Sequence, residues 1–395
     1  MILLLVEWLE GCGWVVPTAF TYFSTRMLLA AATALILTIW LGPRFIKKLY
    51  EWKIGQPIRT GEECPLLAEL HGKKKDTPTM GGVLMLFALG VAVLVWMDWA
   101  SVYTWMLLLA TFGFGLLGAA DDYLKLRYRN SKGVMGRKKL LVQGGIAALI
   151  ALYLLCPPVT EALSGREWLR PPVAKEQKVQ LTTAEVAERI YVPFLKKPVV
   201  VLEGSLRLLA FLWILVVIVG ASNAVNLTDG LDGLAAGCLV MASLTLALFA
   251  FLSNHMHLAQ YLKILYIEGS GEIAVFLFAL AGAALGFLWY NGYPAQVFMG
   301  DTGSLALGGA LGVAAVLLRR EVLLAVVGGI FVAEAVSVIL QVLSYRYRNK
   351  QRIFLCAPLH HHFEYKGWPE TKVVIRFWIV SLLLAIVAVS SIKLQ

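Results

Sequence analysis

Ten apolar segments, spread along almost the whole of this 395-residue chain, restrict its fold more than any other feature. A helix that spans a bilayer needs about 20 predominantly apolar residues. Charged residues make up only 15% of the chain, against about 25% in soluble domains, and one globule of this length cannot hide the remaining apolar surface. The sequence therefore predicts an all-α polytopic membrane protein and excludes a soluble enzyme, a disordered chain and a disulfide scaffold. The ten predicted transmembrane spans are Met27–Leu41, Gly82–Met97, Tyr103–Ala120, Leu140–Cys156, Val199–Gly220, Leu234–Leu252, Ile273–Tyr290, Ser304–Leu318, Val322–Leu343 and Val373–Ile392.

Lysine and arginine gather in the loops that follow the odd-numbered spans, and this asymmetry orients the chain. Cytoplasmic loops carry an excess of these residues, so the odd-numbered loops are predicted to be cytoplasmic. An even number of spans then leaves both termini on the periplasmic side. The eighth span is short and rich in glycine, and only Arg319–Glu321 separates it from the ninth. If the eighth and ninth segments form one re-entrant element, everything that follows them switches sides.

The chain is predicted to form a single integral membrane domain over residues 1–395. A long insert, Pro157–Lys197, lies between the fourth and fifth spans, and we expect it to be a periplasmic excursion with a short hairpin. The formal net charge of +10 fits attraction to anionic lipid headgroups or to an anionic substrate. Nucleic acid fits this charge poorly, because the basic residues lie in short loops between apolar runs.

Five polar clusters differ from ordinary linkers, and the span count places all five on the cytoplasmic face. They are Lys73–Gly82, Asp121-Asp122, Asn223–Gly233, Phe298–Ser304 and His360–His362. Because they share one membrane face, we expect them to form one active site at the cytoplasmic ends of the helices.

The aspartates of these clusters point to a divalent metal ion. They are Asp121, Asp122, Asp229, Asp232 and Asp301. An acidic side chain next to hydrocarbon is costly and usually functional, although helix capping is the alternative role for any one of them. The clusters at 223–233 and 298–304 lack Lys and Arg, so a bound cation is expected as the counter-charge. Oxygen-only ligands select Mg²⁺, Mn²⁺ or Ca²⁺, and Mg²⁺ characteristically combines one or two carboxylates with substrate phosphates.

Other residues of the clusters fit a phosphate-bearing substrate. Gly230 lets the backbone approach a ligand closely. Four cations could neutralise a diphosphate, although the positive-inside pattern alone also accounts for most of them; they are Lys74, Lys75, Lys125 and Arg129. The three histidines His360–His362 are expected to point in different directions. Hydrogen bonds to phosphate or sugar suit them better than a zinc site, which needs a fourth ligand at a recognisable spacing.

In this order, the clusters resemble those of the polyprenyl-phosphate N-acetylhexosamine-1-phosphate transferase superfamily and, within it, the phospho-N-acetylmuramoyl-pentapeptide-transferase family. The most specific segments are Thr77–Gly82, Asn223–Ala235, Pro294–Gly312 and Ala357–Glu370. The histidine segment separates this family from relatives that use UDP-GlcNAc. Asp76 departs from the family pattern, which commonly has glycine there, and the long insert matches poorly.

The resemblance implies a ten-helix enzyme of the bacterial inner membrane. It implies Mg²⁺-dependent transfer of phospho-MurNAc-pentapeptide from UDP-MurNAc-pentapeptide to undecaprenyl phosphate, which gives lipid I and releases UMP. The sequence is compatible with a homodimer and does not fix the oligomeric state. Two other interpretations compete: a UDP-GlcNAc:undecaprenyl-phosphate GlcNAc-1-phosphate transferase, and an ion-coupled transporter, whose acidic residues would lie near the bilayer midplane rather than at span ends.

The resemblance also suggests roles for individual residues. Asp121, Asp122, Asp301 and His360 match catalytic positions, and Asp301 matches the carboxylate associated with Mg²⁺. Each member of the Asp121-Asp122 pair could act as a base, a nucleophile or a positioning group. A phosphate monoester has its second pKa near 6 and is largely dianionic at pH 7, so we expect at least one of the pair to act by positioning. The expected substrate-binding residues are Lys74, Lys75, Thr77, Lys125, Arg129, Asn223, Asn226, Asp229, Gly230, Asp232, Phe298 (as a stacking partner for uracil), Gln341, His361 and His362.

Overall fold

Helices dominate the computed structural model, which describes residues 1–52, 77–128, 133–176 and 179–392. In chain order the α-helices are α1 (Ile2–Gly11), α2 (Phe23–Glu51), α3 (Gly82–Trp96), α4 (Val102–Tyr128), α5 (Gly136–Leu155), α6 (Pro157–Ser164), α7 (Thr183–Ala187), α8 (Arg207–Thr228), α9 (Leu234–Asn254), α10 (Met256–Leu262), α11 (Gly271–Asn291), α12 (Gly300–Leu317), α13 (Glu321–Val327), α14 (Gly329–Tyr347), α15 (Leu359–Tyr365) and α16 (Glu370–Ser390). The strands are β1 (Ala174–Glu176), β2 (Val179–Leu181), β3 (Arg189–Ile190), β4 (Val200–Val201) and β5 (Tyr266–Ile267).

Within the described ranges, nine helices are long and apolar enough to cross a membrane: α2, α4, α5, α8, α9, α11, α12, α14 and α16. Each overlaps one of the predicted spans. The remaining predicted span, the second, corresponds to α3, an apolar helix of 15 residues, which is short against the usual length of about 20. The prediction of a polytopic helical membrane protein is confirmed.

The ninth predicted span, Val322–Leu343, consists of two helices rather than one. Helix α13 ends just before Gly328, and α14 begins at Gly329. Glycine lowers helix propensity by about 1 kcal/mol relative to alanine, so two consecutive glycines make this the weakest point of the segment. The continuous helix predicted from hydropathy is therefore wrong at this position.

The turn between α12 and α13 is as tight as the sequence predicts, and buried charges hold it. Arg319 pairs with Glu321 at 2.7 Å, and its guanidinium also donates hydrogen bonds to the carbonyl of Arg189 in β3. Buried charges require such partners because desolvation is costly. The turn therefore ties the end of the helix bundle to the insert between α5 and α8.

That insert is not purely helical, so the all-α prediction holds for the bundle and fails here. Strand β1 pairs antiparallel with β2, and β5 pairs with the other edge of β1. Strands β3 and β4 form a second antiparallel pair. Helix α7 begins with a capping box, in which Thr182 and Glu185 exchange hydrogen bonds. The insert thus folds into a small layer of strands and short helices against the bundle.

The glycine-rich helix α12 is the most buried of the nine, although its mean hydropathy is low among them. A Cβ atom at Gly308 would lie 2.7 Å from the carbonyl oxygen of Ala221 in α8, and one at Gly309 would lie 2.8 Å from the ring of Phe114 in α4. Both distances are too short for real carbon contacts. Glycine therefore lets α4, α8 and α12 pack closely. This packing fixes the position of the first turn of α12, where the polar clusters converge.

We expect Gly308→Ala to destabilise the protein, because the added methyl group overpacks the contact between α12 and α8. Overpacking of this kind costs about 1–3 kcal/mol. Thermal unfolding of the purified protein in detergent measures the effect as a lower midpoint. Gly220→Ala on α8 is the matched control, since a Cβ there meets no atom within 4 Å. Equal midpoints for the two variants would contradict the packing account.

Candidate active site

Asp122, near the end of α4, caps the beginning of α12. Its carboxylate accepts hydrogen bonds from the amide of Asp301 at 3.1 Å, the amide of Thr302 at 2.9 Å and the hydroxyl of Thr302 at 2.7 Å. The first amides of a helix have no partner within the helix, and acceptors there are normally local side chains. Here a neighbouring helix supplies the acceptor. Asp122 is buried, and its three hydrogen bonds fix the position of Asp301.

Asp121 and Asp301 share two lysine partners. Lys125 of α4 lies 2.6 Å from Asp121 and 3.1 Å from Asp301, and Lys139 of α5 lies 2.8 Å and 2.7 Å from the same two carboxylates. The amide of Val134 also donates to Asp121 at 2.6 Å. The expectation that these carboxylates lack fixed counter-charges is therefore wrong. The cations come from the adjoining ends of α4 and α5, not from the loops that carry the other aspartates.

Asp121, Asp122 and Asp301 form a group that could hold a metal ion. Oxygen atoms of the three carboxylates lie within 4.8 Å of one another, and this is the one such group of His, Cys, Asp or Glu side chains in the described part of the chain. Three carboxylates against two lysines leave one negative charge. The donors are all oxygen atoms, which suits Mg²⁺.

The two asparagines of α8 have different surroundings. Asn226 donates to Asp301 at 3.0 Å and to the hydroxyl of Ser304 at 2.8 Å, so it belongs to the acidic cluster. Asn223 lies one turn earlier and donates to the side chain of Gln143 in α5 at 2.9 Å. Asn223 therefore connects two helices, while Asn226 restrains the carboxylate that the sequence associates with the metal.

Asp229 follows directly after α8, and its surroundings disfavour a negative charge. Burial and then the neighbouring Asp301, Asp122 and Asp232 raise the pKa of Asp229 to about 8, and the amide of Gly300 opposes this shift. The side chain keeps some solvent exposure although protein atoms surround it densely. At neutral pH this carboxyl is therefore mostly protonated in the absence of a cation.

Asp232 connects the loop after α8 to neighbouring segments through hydrogen bonds. Its carboxylate accepts a hydrogen bond from the amide of Ala295 at 3.0 Å, and its own amide donates to Glu370 at 2.8 Å. These bonds hold the loop after α8 against the segment before α12 and against the beginning of α16. Asp232 thus shapes the site in this structure.

The segment that begins at Thr77 pairs with the segment that carries Phe298. The amide of Phe298 donates to the carbonyl of Pro78, and the amide of Gly81 donates to the carbonyl of Phe298, both at 2.8 Å. The Phe298 ring is half-buried. Gly300 has φ +74°, and a Cβ there would lie 2.7 Å from the Asp122 carboxylate, so only glycine fits between the cap and α12.

The three histidines lie on α15, and each ring has different neighbours, which confirms that they point in different directions. His361 Nδ1 lies 2.7 Å from Glu364 of the same helix. His362 Nδ1 accepts a hydrogen bond from the amide of Leu355 at 3.1 Å. His360 is buried, and its ring packs against Gly230, where a Cβ would lie only 2.2 Å from Nε2. This contact joins the histidine helix to the loop of Asp229.

Gln341 of α14 holds the chain that leads to the histidine helix. Its side-chain oxygen accepts hydrogen bonds from the amides of Ile353 and Phe354, and its Nε2 donates to the Phe354 carbonyl at 3.1 Å. In this structure the polar atoms of the Gln341 side chain therefore bind backbone groups of Ile353 and Phe354.

The structure brings together ten of the predicted site residues that it describes and adds others. Those brought to the acidic cluster, to the adjoining loops or to the contact of His360 with Gly230 are Asp121, Asp122, Lys125, Asn226, Asp229, Gly230, Asp232, Phe298, Asp301 and His360. Lys74, Lys75 and Arg129 lie outside the described residues. Sequence reasoning missed Lys139 and Glu334, which lies beside His360. A lone acidic residue inside an apolar span is itself a functional signal, and it could have identified Glu334.

Comparisons with known proteins place the chain among glycosyl-phosphate-transferring membrane enzymes. A family model described as glycosyl transferase family 4 matches residues 104–319, and the model of phospho-N-acetylmuramoyl-pentapeptide-transferase signature 1 matches residues 74–86. The chain is 60% identical to the phospho-N-acetylmuramoyl-pentapeptide-transferase of Protochlamydia amoebophila over the full length of both proteins. It is 46% identical to that of Syntrophus aciditrophicus and 45% identical to that of Desulfotalea psychrophila, with 95% of each chain covered.

The raised pKa of Asp229 predicts how stability changes with pH. The carboxyl titrates near 4 when unfolded and near 8 when folded. The folded protein therefore binds the extra proton between these values, and its stability falls as the pH rises through them. We expect Asp229→Asn to flatten this fall.

Unfolding midpoints measured in the presence of a chelator, from about pH 5 to about pH 9, test this expectation. Asp98→Asn serves as the control, since Asp98 lies in the connection between α3 and α4 and accepts a hydrogen bond from the amide of Ala100. Parallel pH profiles for wild type and Asp229→Asn would show that Asp229 is not the group responsible.

Proposed function

The chain belongs to the phospho-N-acetylmuramoyl-pentapeptide-transferase family, and from this membership we propose how its residues perform the family's reaction. The reaction moves phospho-MurNAc-pentapeptide from UDP-MurNAc-pentapeptide to undecaprenyl phosphate, and it gives lipid I and UMP. The observation that carries the proposal is the convergence of Asp121, Asp122 and Asp301 at the beginning of α12. The alternatives of a GlcNAc-1-phosphate transferase and a transporter are not favoured by these relatives.

Mg²⁺ is the ion that this acidic cluster fits, and Asp301 is its first ligand in our proposal. Asp301 is more exposed than Asp121, and Asn226 and Asp122 hold its carboxylate and its backbone in place. The chemistry that a bound Mg²⁺ supplies is neutralisation of negative charge on the phosphoryl oxygens. Asp121 is the second candidate ligand, since both lysines would be free to turn towards a diphosphate once a metal ion balances the carboxylates.

The nucleophile is an oxygen of undecaprenyl phosphate, which attacks the β-phosphorus of the UDP-sugar. This oxygen is already ionised at neutral pH, because the second pKa of a phosphate monoester is near 6. The three hydrogen bonds that Asp122 accepts from α12 occupy its carboxylate. We therefore assign Asp122 a positioning role rather than that of a proton acceptor.

The donor is held by the loops around the acidic cluster. Asp229, Gly230 and Asp232 lie on the loop between α8 and α9, and the half-buried ring of Phe298 is a stacking surface for uracil. Helix α15, which carries the three histidines, packs against this loop through the contact between His360 and Gly230. The other proposed substrate-binding residues are Lys74, Lys75, Thr77, Lys125, Arg129, Asn223, Asn226, Gln341, His361 and His362.

We propose ten membrane spans, with α3 as the second, and both termini on the periplasmic side of the bacterial inner membrane. The insert Pro157–Lys197 is then periplasmic, and the acidic cluster faces the cytoplasm. This orientation rests on the distribution of Lys and Arg among the loops. It also suits the substrates, because the donor is water-soluble and the acceptor's isoprenoid chain stays in the bilayer.

Removal of the Asp301 carboxylate is the most direct test of the proposed site. We expect Asp301→Asn to lower Mg²⁺-dependent UMP release by about a hundredfold or more, since electrostatic stabilisation of the transition state is lost. The assay uses UDP-MurNAc-pentapeptide and undecaprenyl phosphate, and calorimetry measures Mg²⁺ binding to the same samples. Asp98→Asn is the control variant and should behave as wild type. Full activity or unchanged Mg²⁺ binding in Asp301→Asn would contradict the assignment.

A further inference from the structure

Glu334 is a fully buried acid in the second turn of α14, and a histidine is its partner. It has no exposed surface, and His360 of α15 is buried beside it. Its carboxylate accepts a hydrogen bond from the backbone amide of His360 at 3.1 Å, and His360 Nδ1 lies 3.2 Å from the same carboxylate oxygen.

Two of the other buried glutamates in the described part of the chain are neutralised by arginine. Glu272 pairs with Arg26 at 2.7 Å, and Glu321 pairs with Arg319 at 2.7 Å. Within the described residues, the ion pair recorded for Glu334 is with His360. A buried carboxylate needs a proton or a positive partner to offset its desolvation. The N–H groups of His360 are therefore what stabilises an ionised Glu334.

One ring nitrogen of His360, Nε2, is available to bind a ligand. Nδ1 lies at ion-pair distance from Glu334 without full hydrogen-bond alignment, and Nε2 has no partner among the described residues. Hydrogen bonds in catalytic sites are often poorly aligned before substrate binds. Nε2 is directed at the backbone of Gly230, which is exposed and adjoins Asp229. The imidazole ring of His360 thus lies between Glu334 and the loop at Gly230, where we place the donor.

We infer that Glu334 is a positioning residue for His360: it keeps the proton on Nδ1 and thereby presents Nε2 to the substrate side of the loop at Gly230. A carboxylate that hydrogen-bonds one ring nitrogen fixes the tautomer and the orientation of the other. The same carboxylate holds the first turn of α15 through the His360 amide. The inference rests on the proposed function, in which His360 acts on the substrate, and it adds the residue that sets its tautomer.

Glu334→Gln tests the inference, because glutamine keeps the size of the side chain and removes its charge. The His360 amide and Nδ1 both contact one carboxylate oxygen, so the glutamine oxygen can still accept from both. A neutral amide oxygen is a weaker acceptor than a carboxylate, so the preference for a proton on Nδ1 should weaken and the Nε2 tautomer should gain population. We expect kcat for UMP release to fall by about 10–100-fold, with little change in KM for the donor. Glu334→Asp, which keeps the charge, should retain more of kcat than Glu334→Gln.

The matched control is Ser337→Ala. Ser337 is buried one turn from Glu334 on α14 and donates to the Glu334 carbonyl, so its loss tests the local packing without touching the carboxylate. We expect its kcat to equal that of wild type. Equal losses of kcat and of unfolding midpoint in Glu334→Gln and Glu334→Asp would overturn the inference and assign Glu334 a purely structural role.

A spectroscopic measurement keeps the two proposals separate. In protein labelled with ¹⁵N-histidine, His360→Gln assigns the His360 ring signals, and their shifts report which nitrogen carries the proton. We expect a proton on Nδ1 in wild type and a larger share of the Nε2 tautomer in Glu334→Gln. An unchanged tautomer would overturn the inference whatever the activity, whereas absence of UMP release in wild type with the expected tautomers would overturn only the proposed function.

Discussion

The hydrogen bonds from the first turn of α12 to Asp122 determine where the acidic cluster lies. They join two helices that are far apart in sequence, and they place Asp301 beside Asp121. A helix N-terminus carries a partial positive charge and unpaired amides, so a buried carboxylate is stabilised there. Close packing of α12 through Gly308 and Gly309 brings this terminus to α4. The arrangement of the site thus follows from the hydrogen bonds between Asp122 and α12 and from the close packing at Gly308 and Gly309.

Paired charges occur at both ends of the bundle, and the pairs differ in kind. Away from the acidic cluster, Arg26 with Glu272 and Arg319 with Glu321 are one-to-one pairs that hold loops and helix ends together. In the cluster, two lysines are shared between carboxylates. A metal ion can replace a lysine as the partner of these carboxylates, and a diphosphate can replace a carboxylate as the partner of a lysine. Neither exchange leaves a charge without a partner. The one-to-one arginine–glutamate pairs stabilise the fold. The shared lysines suit a site that binds charged ligands.

Much of the fold and part of the site were predictable from sequence, because long apolar segments have few structural solutions in lipid. The predicted spans overlap the helices, and Asp121, Asp122 and Asp301 meet as expected. The break at Gly328 and the third strand that β5 adds to the strand pair of the insert were not predicted. Hydropathy alone does not register a local helix break or the pairing of strands two or three residues long.

The partners of the site residues were harder to predict than the residues themselves. Lys139 belongs to a basic run that the positive-inside pattern already explains, and only the packing of α5 turns it towards Asp301. Asp232 and Gln341 bind backbone groups of neighbouring loops, because polar side chains near a site also have to satisfy buried amides. Such assignments depend on which loops meet, and this is a property of the tertiary structure.

In our proposal, Asp122 acts by holding α12 and does not remove a proton. The measurement that tests it most directly is the rate of UMP release as a function of pH for Asp122→Asn and wild type. The account predicts a loss of the same size at every pH, because the weakened cap displaces Asp301 whatever the ionisation of the lipid phosphate. A loss that disappears at high pH, where that phosphate is ionised unaided, would show that Asp122 is a general base and would contradict the account.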